Sequence, residues 1–151
     1  MDTTHDWRFR LPEPAALIVA WVWAIHAIIV GVDYLGGDAP DLTNRWIAIE
    51  AALPIQIWGG VYVITGGLAA LALALRLPRV YLTACAFAVA IYGAMTVGAV
   101  MFVMDFSPLF DGLRYVSRYL SILLLWVALG YGTKLQLEID RRTAEHINDN
   151  T

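Results

Sequence analysis

Four long apolar stretches decide what this chain can become. They cover about residues 15–34, 55–75, 80–104 and 113–133. A helix needs roughly 20 apolar residues to cross the hydrocarbon core of a bilayer. The first stretch runs from Ala15 to Val32, is closed by Asp33, and has His26 as its only polar side chain. The second, Ile55 to Leu75, is closed by Arg76, and the third, Val80 to Met104, by Asp105. The fourth runs from Leu113 to Thr133, ends at Lys134, and carries Arg114 and Arg118 in its first turns. Hydrocarbon offers the backbone no hydrogen-bond partner, so each stretch must satisfy its own peptide groups as a helix.

The rest of the composition agrees with a lipid solvent. Hydrophobic residues make up 60% of the chain and charged residues 15%, against about 25% charged in soluble domains. So few charges cannot cover a water-facing surface. That argues against a soluble globular enzyme or a disordered tail. A net charge of −3 argues against a nucleic-acid partner, which calls for clustered Lys and Arg. The expected fold is therefore all-α: a polytopic bundle of four transmembrane helices.

Arg8 and Arg10 precede the first span as they would in a signal peptide. The apolar run is long for such a segment, and no A-x-A cleavage site follows Val32. We read an uncleaved first helix with Trp7 and Phe9 as interfacial anchors, after a tail over residues 1–14. Gly36 to Asp41 is a turn-rich loop. Thr43 to Leu53 reads as a short interfacial helix before the second span, ended by Pro54. A bent extension of the second span is the other reading. Arg76 to Arg79 leaves room only for a tight helical hairpin. The tail over 134–151 is polar, and its first part is expected to extend the fourth helix into water.

Orientation follows Lys and Arg. Four spans put both termini and the middle loop on one side. That side holds Arg8, Arg10, Arg76, Arg79, Lys134, Arg141 and Arg142, and the other holds Arg45, Arg114 and Arg118. Both termini are expected in the cytoplasm, with the chain in the inner membrane. The outer side holds Asp33, Glu50, Asp105, Arg114 and Arg118 as candidates to line an outer vestibule. The plainer reading has the two arginines snorkelling or pairing with Asp105 and Asp111.

Lipid removes the hydrophobic drive for helices to associate, so small residues that allow close approach matter more. They recur here at four-residue spacing: Ala16, Ala20 and Ala24 in the first span, Gly66, Ala70 and Ala74 in the second, and Ala86, Ala90, Ala94 and Gly98 in the third. These rows are expected to pack helices, within one chain or between copies. Trp23, Tyr92 and Trp126 lie deep in their spans and are expected to face the bundle.

Groups for chemistry are sparse. His26 is the one ionisable side chain near mid-span and the one weak candidate for holding a cofactor. A structural histidine, hydrogen-bonded to Thr65, Thr96 or a backbone carbonyl, is the favoured reading. Cys85 reads as a small buried hydrophobe. No catalytic set, metal site or cofactor is expected, and the expected partners are the bilayer, further copies of the chain, or other membrane proteins.

The length, the four Ala- and Gly-rich spans and the charged tail Glu138-Ile139-Asp140-Arg141-Arg142 resemble the four-span holin-like proteins of actinobacterial phages. That resemblance implies lateral association in the inner membrane, followed by lesions or loss of membrane potential. It carries over no functional residue. Two other readings compete: an exclusion or binding protein acting through the outer loop from Gly36 to Leu53, and a redox- or quinone-associated subunit using His26 and Trp23.

Overall fold

The computed structural model describes residues 13–36, 54–105 and 113–148. All four elements are helices: α1 Glu13–Leu35, α2 Ile55–Ala74, α3 Pro78–Asp105 and α4 Leu113–Asn148. Each is long and apolar enough to cross a membrane. The expected interfacial helix over Thr43 to Leu53 lies outside the described residues.

Proline marks two helix starts. Pro54 stands just before α2 and accepts a hydrogen bond from the Ile57 amide at 2.9 Å. Pro78 opens α3, where a missing amide proton costs nothing. Between α2 and α3 the chain reverses through a Schellman motif. The Leu77 amide donates to Ala72 at 2.8 Å and the Arg76 amide to Leu73 at 3.3 Å. Arg76 takes the left-handed position, with φ 54°, where glycine is the usual occupant.

Large aliphatic side chains point outward on every helix, among them Ile29, Ile64, Val97 and Leu124. The buried core is instead built from Ala24, Ala69, Ala84, Ala88, Met95 and the aromatics Tyr62, Tyr92 and Trp126. Small residues inside and bulky aliphatic ones outside are the arrangement expected when lipid is the solvent.

Helix α1 packs on α2, α2 on α3 and α3 on α4, and among the described residues no other pair makes more than slight contact. The four helices thus pack in series, each on its neighbour in sequence.

The α1–α2 contact is glycine-mediated. A methyl group on Gly31 would fall 2.6 Å from the Val63 nitrogen, and one on Gly66 would fall 2.7 Å from the Ala24 oxygen. One on Gly59 would fall 2.8 Å from the Gly31 oxygen. Backbone thus touches backbone at Gly59 and Gly66, seven residues apart. In the α3–α4 pair, a methyl on Gly130 would meet Cys85 Cβ at 3.2 Å, and Trp126 is fully buried.

The four-residue rows do not stay on one face. Ala86 and Ala90 are exposed, Ala94 is half-buried and Gly98 is buried. In α2, Gly66 is buried, Ala70 half-buried and Ala74 exposed, and in α1 Ala16 is half-buried while Ala20 and Ala24 are buried. A four-residue step overshoots one helical turn by about 40°. Three steps from Ala86 to Gly98 therefore wind about a third of the way round α3. The buried face of α3 is the 3–4 alternating set Tyr81, Ala84, Ala88, Tyr92, Met95 and Ala99.

Helix α4 continues well past Thr133. Its 36 residues span about 54 Å, against roughly 30 Å of hydrocarbon. The extension is held by surface pairs one turn apart: Lys134–Glu138 at 4.0 Å, Gln136–Asp140 at 3.0 Å and Arg141–Glu145 at 2.8 Å.

Candidate functional site

Hydroxyl groups on the spans mostly satisfy themselves locally. Thr96 Oγ1 donates to the Tyr92 carbonyl at 2.7 Å, and Thr133 Oγ1 to Leu129 at 2.9 Å. Such bonds to the preceding turn let a helix carry a hydroxyl into hydrocarbon. Thr96 is thereby committed to its own helix, and the His26 Nδ1 has no hydrogen-bond partner among the described residues. The expected hydrogen bond between His26 and Thr65, Thr96 or a backbone carbonyl is therefore not made at this nitrogen.

A run of rings links three helices instead. Tyr34 of α1 meets Tyr62 of α2 edge-on, with centroids 5.7 Å apart. Tyr62 meets Tyr92 of α3 at 5.4 Å with planes inclined by 70°. Each such pair is worth about 0.5–1.5 kcal/mol beyond the area it buries. On α1, Trp23 packs edge-on against the His26 ring at 5.0 Å.

Polar groups gather around the inner end of this run. Tyr92 is 2% exposed, and its hydroxyl has no hydrogen-bond partner among the described residues. Leaving such a group unpaired costs about 1–3 kcal/mol. Tyr119, on α4, packs against the core that holds Tyr92, and Arg118 beside it in sequence is exposed.

The other candidates are scattered. Asp33 and Arg114 are exposed at the ends of α1 and α4. Asp105 ends α3, and Glu50 and Asp111 lie outside the described residues. Cys85 is buried against Gly130. Among the described residues, no three His, Cys, Asp or Glu side chains stand together to hold a metal ion.

Tyr62 was the member of the cluster hardest to find from sequence. Its position near the start of a span suggests a membrane belt, yet it is 1% exposed. The available signal was its place between Gly59 and Gly66, on the face that contacts α1.

Compared with protein-family models, curated proteins and solved structures, the chain matches none.

Proposed function

We propose that this chain is a holin-like, non-enzymatic protein of the inner membrane. It acts by lateral helix association that permeabilises or depolarises the bilayer. The observation that carries this reading is the large share of helix surface left outside the chain's own packing. Only 22% of the α1 span and 11% of the α4 span are buried, and Ala86 and Ala90 face outward on α3. In lipid, such outward small residues allow a second helix to approach closely. In this proposal both termini are cytoplasmic, because the terminal side holds seven of the ten Lys and Arg residues, three lying on the other. Thr43 to Leu53 then lies along the outer interface.

The test is inducible expression of the chain alone, followed by a potential-sensitive dye. Depolarisation is expected for the wild type. The double variant Ala86→Leu/Ala90→Leu should insert and fold, since both positions are exposed, yet depolarise weakly. Undiminished potential at high wild-type expression refutes the proposal. So does undiminished depolarisation by the double variant.

A further inference from the structure

Arg114 and Arg118 stand four residues apart near the start of α4, and both are exposed. Four residues turn a helix about 40° past one full turn and rise about 6 Å, so the two arginines share a face. Ser117 and Ser121 lie on the same face and are exposed as well. Their hydroxyls are committed to the helix itself. Ser117 Oγ donates to the Arg114 carbonyl at 3.0 Å, and Ser121 Oγ to the Ser117 carbonyl at 2.7 Å. What this face offers outward is therefore the pair of guanidinium groups.

Helix α4 alone gives neither cation a reason to be there. Arg114 lies in the first turn, where the helix dipole opposes a positive charge, and no acidic residue shares that turn. Arg118 lies five residues after Leu113, about 8 Å along the axis, where the apolar span has begun and hydrocarbon disfavours a charge. Among the described residues it forms no ion pair with a carboxylate. From Leu113 onward, α4 carries no acidic residue before Glu138, so its own sequence leaves the charge of this face unbalanced. Side chains on a helix lean toward its N-terminus. Both arginines thus lean toward the membrane surface that the start of α4 meets, as snorkelling cations do. The groups that await them there are lipid head groups, and a phosphate accepts two parallel hydrogen bonds from one guanidinium. Toward the middle of the span, Leu124 and Ala128 are exposed on the same side and give acyl chains an apolar wall.

We propose that the Arg114–Arg118 face of α4 binds the phosphate of an anionic phospholipid in the leaflet that meets the start of this helix. The complement is electrostatic: two cations favour a lipid with net negative charge over a zwitterionic one, whose own cation has no carboxylate to meet on this part of α4. The proposal requires α4 to span the bilayer and does not depend on whether the chain depolarises it.

The full chain in a neutral maltoside detergent provides the test. Its thermal unfolding is followed while phosphatidylglycerol, zwitterionic phosphatidylcholine or glycerol phosphate, which has no acyl chains, is added. Phosphatidylglycerol should raise the Tm by several degrees, and the other two should not. Arg118→Gln, at an exposed position, should keep the lipid-free Tm within about 2 °C and lose at least half of the response. Arg114→Gln/Arg118→Gln should lose nearly all of it. Arg141→Gln/Arg142→Gln, on the exposed extension of α4, removes as many cations and should keep the full response. No rise with phosphatidylglycerol, or an equal rise with phosphatidylcholine or glycerol phosphate, overturns the proposal. An undiminished response in Arg118→Gln does so too, as does an equal loss in the Arg141/Arg142 variant.

Discussion

Gly66 and Gly67 are neighbours with opposite tolerances. A methyl group on Gly66 would press on the Ala24 oxygen at 2.7 Å and the Ile28 nitrogen at 2.9 Å, while one on Gly67 meets nothing within 4 Å. Backbone atoms cannot turn aside as a flexible side chain can. Gly66→Ala should therefore destabilise the α1–α2 pair by about 1–3 kcal/mol, the usual cost of overpacking. Gly67→Ala should be neutral or stabilising by up to about 1 kcal/mol, because alanine is the better helix former. Unfolding in detergent micelles measures both. Equal effects would mean that the two helix backbones do not touch at Gly66. Such contacts are only half visible in a sequence. Gly59, Gly60, Gly66 and Gly67 look alike on the page, and which of them faces α1 depends on the partner helix.

At the scale of elements, the spans were readable and their faces were not. A span announces itself by length and by the charges that close it, as Asp33, Arg76, Asp105 and Lys134 do. A face depends on phase, and almost every residue of these spans is apolar, so polarity leaves no stripe to read. Spacing then has to serve instead, and the four-residue rows wind off the face on which they begin. The buried face of α3 from Tyr81 through Ala84, Ala88, Tyr92 and Met95 to Ala99 mixes steps of three and four, and its 18-residue length makes about five whole turns, which returns it to the same bearing. The extension of α4 is a different case, since its residues are exposed and its pairs lie a turn apart. Surface pairs of this kind contribute about 0.5 kcal/mol or less each. Deleting residues 138–151 should remove helical circular-dichroism signal while moving the Tm of the embedded part by less than about 2 °C. A larger drop would show that the extension folds back onto the bundle.

For the whole molecule, the asymmetry of Lys and Arg makes the sides of the membrane testable. Asp33 lies exposed at the end of α1, and Glu138 lies exposed on the α4 extension. In the proposed orientation the two face opposite compartments. An impermeant thiol reagent added to intact cells should label Asp33→Cys and spare Glu138→Cys. Inverted vesicles should reverse that result. The native Cys85 is buried and gives no background. Labelling of both variants from the same side would rule out four spans in alternating directions. The serial packing of the helices belongs to this scale as well, since no single helix encodes the meeting of Tyr34, Tyr62 and Tyr92. That cluster is legible only in part: Tyr92 reads as bundle-facing from its depth, whereas Tyr62, near the start of a span, passes for a belt residue.

The turn at Arg76 carries two duties that pull against each other. A left-handed backbone costs a residue with a side chain about 1 kcal/mol more than it costs glycine, so Arg76→Gly should tighten the hairpin and raise the melting temperature. The same change leaves six cations on the terminal side where there were seven, which weakens the bias that steers the nascent chain during translocation. A sturdier fold reached by fewer correctly threaded molecules is the expected result, and it separates how well the protein holds together from how reliably it is inserted.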